Sequence, residues 1–259
     1  AHSRTLHEAL TTFVQLQNLN STAGAGYLHV WGDTAVFGYG IYSRVAHGQE
    51  HSYPLFAALA TNLVRGLTAS GVNPAAVHLS MRRPSDDSAY REILGVPVRF
   101  DQPESGVHLR LADLQHPVLG ADPREARRLD AAIRHVLSIQ EPSVTRQVQH
   151  RLRPMMVRGQ VTASDMAEHL GIHVRTLSRR LAAEGTTYQS LLDEVRQQSA
   201  CELLALTNLR ISHIADALAY SAHASFVEAF RRWSGESPSQ WRRAFLEGRT
   251  EIATAGSRP

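Results

Sequence analysis

The chain has 259 residues, of which 43% are hydrophobic and 20% charged, and its formal net charge at pH 7 is +3. This composition is typical of a globular protein, and the length allows two domains with separate cores. The sequence has no run of roughly 18 apolar residues that could cross a bilayer and no signal peptide at its start, so we expect a cytoplasmic protein without a membrane partner. A single cysteine, Cys201, excludes an internal disulfide and a thiolate zinc site.

Positive charge is concentrated in the second half of the chain. Residues 142–247 contain 13 Arg against 10 Asp and Glu, whereas residues 1–141 contain 12 Arg against 13 acidic residues. The sequence has no lysine, so every basic side chain is an arginine, which can make bidentate contacts with phosphate or guanine. A compositional bias of the genome is the simpler explanation for the missing lysines.

Helices and strands are mixed in the first part of the chain. Periodicity and turn residues predict, in chain order, a helix over 5–19, a hairpin of 27–31 and 35–42, a helix over 53–69, a strand over 77–82, a helix over 86–94, and strands over 96–100 and 107–111. We interpret the adjacent carboxylates of Asp86 and Asp87 as a cap for the short helix. The order of elements indicates an α+β fold rather than a doubly wound sheet.

Pro142 marks the domain boundary that we predict. Asp122 and Pro123 open a helix over 124–139 as N-cap and first helical residue, and the helix ends before Pro142 because a residue before proline is biased out of the helical conformation. Everything after Pro142 has helical periodicity. We therefore predict an α+β domain over 1–122, a linker helix over 123–141, an all-α domain over 142–247 and a flexible tail over 248–259.

Residues 162–181, called here the first unit, have the pattern of a helix-turn-helix with its turn at Gly171. Helical spacing predicts a buried face in the second helix of this unit, formed by Val174, Leu177 and Leu181. The outer face carries Arg175, Ser178 and Arg179, and an arginine there can bond guanine in the major groove. A solvated helix face would show the same pattern, so this unit alone leaves both interpretations open.

Residues 210–230, called here the second unit, repeat the arrangement. The inner positions are Phe226, Phe230 and Trp233, and the outer positions are Ala224, Ser225 and Glu228. A carboxylate facing DNA is repelled by phosphates but can accept a hydrogen bond from cytosine N4. Glu228 is therefore either a base reader or a partner for a neighbouring arginine.

Residues 188–206 join the two units without glycine or proline, which predicts one helix. Nineteen residues at 1.5 Å each span about 28 Å, close to the roughly 34 Å between major-groove faces one turn apart. The connector could therefore hold both units on one side of a duplex. This duplication favours DNA binding over a solvated surface.

Residues 143–246 resemble the DNA-binding domain of the AraC/XylS family of bacterial transcription regulators. The residues that carry the resemblance are 167–170, 175–181, Gly185, 211–218, 220–221, Phe226, 230–235, 237–238 and 241–242. The resemblance implies seven helices, with Arg175, Ser178 and Arg179 in one major groove and Ala224, Ser225 and Glu228 in the next. It also implies operator DNA and RNA polymerase as partners of a regulator, typically an activator.

Six further arginines are candidates for phosphate contacts, which position a protein on DNA but carry no sequence code. They are Arg146, Arg180, Arg231, Arg232, Arg242 and Arg243. Phosphate contacts predict an affinity for DNA that falls steeply with salt.

The upstream residues, from about 3 to 123, resemble the arabinose-binding-like N-terminal domain of a regulator subgroup that includes ornithine-utilisation and virulence regulators. Residues 94–101, 109–114, 116–119 and 121–123 carry this resemblance. It implies binding of a small-molecule effector or formation of a homodimer and, because members have further sequence upstream, a missing N-terminal portion. The polar side chains that are candidates to line an effector pocket are His29, Trp31, Tyr39, Tyr42, His51 and Tyr53.

The alternative function is a small-molecule-binding enzyme whose helical part is a protein-interaction module. We assign no catalytic residue, because the chain has no G-x-S-x-G elbow, no P-loop and no G-x-G-x-x-G turn after a strand. We also expect no metal or other cofactor, since His169 and His173 lack the glutamate of an H-E-x-x-H zinc site. The sequence therefore predicts a DNA-binding regulator and not an enzyme.

Overall fold

The computed structural model describes residues 3–20, 24–42, 51–122, 124–125, 128–129, 131–133, 135 and 143–255. Within these residues an α+β region precedes seven helices, in agreement with the predicted fold class. The predicted linker helix over 124–139 lies partly outside the described residues, and those described between 124 and 135 are helical. No helix in the described part of the chain is both long and apolar enough to cross a membrane.

In its described residues, the α+β region contains three α-helices, one 3-10 helix and a five-stranded sheet. Its elements are α1 (Leu6–Asn20), β1 (Gly24–Trp31), β2 (Thr34–Ile41), α2 (Ser52–Leu67), β3 (Ala76–His78), α3 (Ser88–Leu94), β4 (Val98–Arg99), β5 (Ser105–Arg110) and a 3-10 helix (Leu111–Gln115). The strand predicted over 77–82 ends at His78. The Leu79 N–H still donates to the Arg99 carbonyl of β4 at 2.9 Å, but the N–H groups of Ser80 and Arg82 donate to groups other than strand carbonyls. The Ser80 N–H donates to the Ser105 hydroxyl at 2.8 Å, and the Arg82 N–H donates to the Leu206 carbonyl at 2.7 Å.

The strands lie in the order β1-β2-β5-β3-β4, and all pairs are antiparallel except β3 with β4. Side chains alternate between the two faces of a sheet, and here one face is apolar. Phe37, Val107 and Leu109 lie on it and are buried in one core with residues of α1 and α2. Burial of this face is what holds the helices on the sheet.

The opposite face, called here the polar face, carries Tyr27, His29 and His108. The Tyr27 ring lies across Gly38 of the neighbouring strand, and a Cβ atom at Gly38 would stand only 2.2 Å from the Tyr27 Cζ atom. Glycine at this position therefore makes room for the ring. The Tyr27 hydroxyl donates to Glu104 at 3.2 Å.

The helical region follows from Val144. Its elements are α4 (Val144–Met156), α5 (Ala163–His169), α6 (Val174–Ala183), α7 (Tyr188–Leu206), α8 (Ile211–Ala217), α9 (His223–Ser234) and α10 (Pro238–Ala255). Seven helices match the expectation from the resemblance, and α7 has the bounds of the predicted connector. Its N-cap is Thr187, whose hydroxyl accepts the Ser190 N–H at 3.1 Å.

The two regions pack against each other at the end of α7. Most of α7 belongs to the core of the helical region, but Ala205 and Leu206 are buried in the core beneath the sheet. The connector helix is therefore shared by both cores.

The predicted cap of α3 is only half right. The Asp86 carboxylate accepts the Ser88 N–H at 2.9 Å, as a cap should. Asp87 instead forms ion pairs with Arg83 at 2.7 Å and Arg91 at 2.6 Å. Arg91 lies one helical turn after Asp87, whereas Arg83 reaches it from the segment that precedes the helix.

Candidate nucleic-acid interface

The first unit consists of α5 and α6, joined by a turn at Gly171. A capping box starts α5, in which the Thr162 hydroxyl accepts the Asp165 N–H at 3.1 Å and the Asp165 carboxylate accepts the Thr162 N–H at 3.0 Å. Gly171 has a φ of 64°, a left-handed conformation that glycine adopts without steric cost. His173 then caps α6 by accepting the Arg175 N–H at 3.2 Å.

The outer face of α6 is exposed along its whole length. Arg175, Ser178 and Arg179 are all exposed, whereas Leu177 and Leu181 are fully buried. The two leucines fix the rotation of the helix about its axis, so the three polar side chains face away from the core. The structure thus brings together the three candidate base readers of the first unit.

The second unit consists of α8 and α9. Its turn is held by Arg196, a residue that the sequence analysis did not identify. Ala219 has a φ of 55° at the position where the first unit has glycine. Arg196 of the connector helix holds this turn, since it donates to the Leu218 carbonyl at 3.0 Å and the Ala219 carbonyl at 2.9 Å. Its guanidinium also lies 4.3 Å from the centre of the Tyr220 ring. No local spacing in the sequence indicates this long-range contact.

The outer face of α9 presents Ala224, Ser225 and Glu228, all exposed. Its inner face is anchored by Phe226 and Phe230, which are fully buried. The Phe230 ring lies in edge contact with Phe226 and with two tryptophans, Trp233 and Trp241. Trp233 is partly buried, so the predicted inner face is correct in direction.

Four of the six arginines predicted to contact phosphate are exposed, namely Arg180, Arg231, Arg232 and Arg243. Arg146 is half-buried near the start of α4. Arg242 has a structural role instead, because its guanidinium donates to the Leu204 carbonyl at 3.2 Å and the Leu209 carbonyl at 2.8 Å. Burial lowers the pKa of Arg242, and the nearby charge of Arg82 acts in the same direction.

Three of the six effector candidates contact the helical region. Tyr53 is fully buried and donates to the Glu202 carboxylate at 2.5 Å, and Tyr42 donates to the His150 carbonyl at 2.9 Å. The His29 ring lies 6.0 Å from the His169 ring of α5. Burial lowers the pKa of His29 to about 4, with further contributions from Arg158 and His169.

The other three candidates lie elsewhere. The Tyr39 ring stacks on Phe56 at 5.2 Å beside the apolar face, Trp31 is 54% exposed, and His51 is exposed. The six side chains therefore do not converge on one pocket. A groove of about 230 Å³ lies between α2 and α3 and contains none of them; its lining residues are Pro54, Leu55, Ala58, Ala89, Tyr90, Ile93 and Leu94.

Two buried ion pairs lie where the polar face meets the helical region. Arg153 of α4 and Glu202 of α7 form one pair, and Tyr53 is bonded to it. Arg158 forms the other, with two bonds to Glu104 at 2.8 and 2.9 Å. Burial alone would raise the pKa of Glu104, but the hydrogen bonds and charge of Arg158 bring it below its ordinary value. Sequence reasoning missed both pairs, because their members are far apart along the chain.

Comparison with known proteins gives two family models that match different parts of the chain. The arabinose-binding domain of AraC transcription regulators matches residues 1–118, and a helix-turn-helix domain matches residues 166–244. Together the two matches include the sheet, the second unit and all of the first unit except residues 162–165. They agree with the order of domains deduced from the sequence resemblance.

Curated relatives carry names of the same kind. The chain is 30% identical over 206 residues to the HTH-type transcriptional regulator VirS of Mycobacterium tuberculosis, covering 80% of this chain and 61% of VirS. It is 31% identical over 167 residues to the ornithine utilization regulator of Pseudomonas aeruginosa, covering 62% and 48% of the two chains. The chain therefore spans about three fifths of VirS and about half of the ornithine utilization regulator.

Among solved structures, the transcriptional regulator CdpR of Pseudomonas aeruginosa is 25% identical to this chain. The match covers 93% of this chain and 79% of CdpR, with a TM-score of 0.44.

Proposed function

The chain belongs to the AraC family of transcription regulators, and we propose on that premise that it reads operator DNA with both helix-turn-helix units under the control of a small molecule. The observation that carries the proposal is the outer face of α6. Arg175 and Arg179 are exposed there while Leu177 and Leu181 anchor the helix from the inside. An arginine presented in this way can make two bonds to guanine in the major groove.

The second unit supports reading of an adjacent groove. The connector helix that separates the units has 19 residues, or about 28 Å of rise, which suits two major-groove segments on one face of a duplex. Ser225 and Glu228 then face the bases, with Arg231, Arg232 and Arg243 as phosphate contacts. Within the described residues no ion pair joins Glu228 to an arginine, which favours a role at the bases over a role as a charge partner.

The upstream region supplies the regulatory input in this proposal. Its similarity to the arabinose-binding domain of AraC regulators supports a small-molecule effector. We further propose RNA polymerase as a partner, a homodimer as the working state, and the cytoplasm as the location, because a regulator must meet both the chromosome and the polymerase. The names of the relatives do not favour the alternative of an enzyme with an interaction module.

Substitution of Arg179 tests the base-reading proposal. Duplexes selected by the wild-type chain from a random library define the operator, and each position is then varied in turn. Arg179→Ala should lose discrimination at one or two guanines, at a cost of about 1 to 3 kcal/mol. Arg4→Ala is a matched control, since Arg4 is an exposed arginine in the other region of the protein.

Equal discrimination by Arg179→Ala and wild type at every position would refute the assignment of Arg179.

A salt titration with random duplex DNA separates the regulator from the enzyme alternative. A DNA-binding protein of this kind should bind at low salt and lose affinity steeply as salt increases. A chain with no affinity for duplex DNA even at low salt would refute the proposed function.

A further inference from the structure

Residues 207–210, called here the hinge, connect the connector helix α7 to the second unit. The helix ends at Leu206, and its C-cap, Thr207, has an extended backbone with φ −123° and ψ 164°. Thr207 is fully buried and its hydroxyl donates to the Leu203 carbonyl at 2.6 Å. Because α8 begins at Ile211, the backbone torsions of the hinge set the direction in which the second unit leaves the connector. The first unit precedes the connector, so these torsions do not affect its attachment to α7.

Two loops of the α+β region hold the hinge. The Asp101 carboxylate accepts the Asn208 N–H at 2.6 Å. Arg82 contributes two bonds, one from its backbone N–H to the Leu206 carbonyl at 2.7 Å and one from its Nε atom to the Asn208 side-chain oxygen at 3.2 Å. The hinge and the end of α7 are therefore held by residues from a different part of the chain.

The two loops are themselves joined. The Asp101 N–H donates to the Met81 carbonyl at 2.9 Å, and the Gln102 N–H donates to the Leu79 carbonyl at 3.1 Å. Asp101 has a φ of 55°, which aspartate tolerates better than most residues. Since β3 leads directly into the first loop, a displacement of the sheet or of either loop would be transmitted to the hinge.

The last helix also holds the hinge. Arg242 of α10 donates to the carbonyls of Leu204 and Leu209, and the charges of Arg82 and Asp101 both influence its pKa. Three charged side chains from three elements, Arg82, Asp101 and Arg242, thus bond to Asn208 and Leu209 of the hinge. Such convergence gives the hinge one defined geometry rather than a range of them.

We infer that Arg82 and Asp101 are positioning residues for DNA reading, through which the α+β region sets the orientation of the second unit relative to the first. The inference rests on the proposed function and adds the route of regulation. An effector that moves either loop would change how the second unit meets its groove, while the first unit would keep its contacts. Regulation of this kind alters how the second unit contacts its half-site and which spacing of half-sites the protein prefers, while the contacts of the first unit with bases stay the same.

Two substitutions at Asp101 separate the effect of its hydrogen bond to the Asn208 N–H from the effect of its positive φ. Asp101→Gly removes the carboxylate acceptor and suits the positive φ. Asp101→Asn keeps an oxygen acceptor at the same place and also tolerates that φ. Asp122→Gly is a matched control, because the Asp122 carboxylate likewise accepts a backbone N–H, from Arg124 at 2.8 Å, but belongs to neither of the two loops.

The probes are the duplexes selected by the full wild-type chain from a random library, altered either in one half-site or by one base pair in the spacing between half-sites. For Asp101→Gly we expect discrimination at the second half-site to fall about tenfold, the range associated with one hydrogen bond to a charged group. Discrimination at the first half-site should stay within about twofold of wild type, and the preference for one spacing should weaken. Asp101→Asn should keep both properties at the level of the wild type, and Asp122→Gly should behave as wild type.

Two results would overturn the inference. One is wild-type discrimination and spacing preference in Asp101→Gly; the other is an equal loss at both half-sites that Asp101→Asn also shows, which indicates a general loss of folding. Both leave the proposed function standing, because the wild-type chain still selects duplexes. Failure of the wild-type chain to select any duplex would instead refute the proposed function, and the inference with it.

Discussion

The ion pair between Arg153 and Glu202 gives the strongest test of how the two regions are held together. Both side chains are only 4% exposed. Two bonds join them: Arg153 Nη1 donates to Glu202 Oε2 at 2.6 Å, and Arg153 Nη2 donates to Glu202 Oε1. The α+β region completes the network, since the Tyr53 hydroxyl donates to Glu202 and the Ile41 carbonyl accepts from Arg153 at 3.3 Å.

Glu202→Ala should destabilise the protein by about 3 to 5 kcal/mol, because it leaves the buried guanidinium without its counter-charge. In the wild type, burial alone would lower the pKa of Arg153, but the Glu202 charge raises it well above its ordinary value. Without Glu202 the guanidinium still keeps its proton, because arginine does not deprotonate in proteins, and the buried charge is then unpaired. A triple variant, Tyr53→Phe with Arg153→Met and Glu202→Leu, removes every charge and the orphaned hydroxyl. It should be within a few kcal/mol of wild type or more stable than it.

Urea unfolding of the full chain measures these differences in the free energy of unfolding. Glu8→Ala is the control, because the Arg4–Glu8 pair is largely exposed, at 74% and 39%, and such pairs contribute about 0 to 1 kcal/mol. If Glu202→Ala cost no more than Glu8→Ala, the reasoning about the buried pair would be wrong. A triple variant as unstable as Glu202→Ala would show that packing, and not charge, dominates at this place.

Three further outcomes are expected. Glu228→Ala should reduce discrimination between bases at one base pair by about 1 to 3 kcal/mol. Fluorescence anisotropy with operator variants measures this difference. A uniform gain in affinity for all sequences would mean that Glu228 is only a repulsive charge. Contact between the regions should weaken as pH falls from about 6.5 to about 4. Burial lowers the pKa of both His29 and His150 to about 4, and separation of the regions would return each pKa towards its ordinary value of about 6.5. The separated form therefore binds protons at a higher pH than the packed form and is favoured as the pH falls. Hydrogen exchange in β1 and α4 should report this weakening, and a His29→Gln, His150→Gln variant that kept the full acid sensitivity would contradict it. In the turns, Gly171→Ala should cost about 1 kcal/mol of stability and Ala219→Gly should gain up to about that amount, since both positions have positive φ; thermal melts that moved both variants in the same direction would argue against this account.

Helices and their inner faces could be predicted from the sequence because they depend on neighbours along the chain. The connector was predicted with its observed bounds, since a run of helix-forming residues without glycine or proline has few alternatives. The inward direction of Leu177 and Phe230 followed from spacing alone. The arginines and Glu228 on the outer faces are exposed for the same reason, as the opposite side of an amphipathic helix.

The spacing of residues along the sequence could not predict which polar side chains form hydrogen bonds between the α+β region and the helical region. Tyr53 and Tyr42, predicted to line an effector pocket, bond instead to the helical region, and Arg242, predicted to contact phosphate, holds the hinge. Nothing near any of these residues in the sequence distinguishes the two roles.

The sequence by itself determined the fold class, the two units and the outer faces that we propose to meet DNA, because helical periodicity is a local property. Only the tertiary structure decided that Tyr53 would meet Glu202 across 149 positions, and Asp101 would meet Asn208 across 107. Burying a charged side chain is favourable only when a partner of opposite charge is buried beside it. Whether the two side chains come together depends on how the sheet packs against the helices.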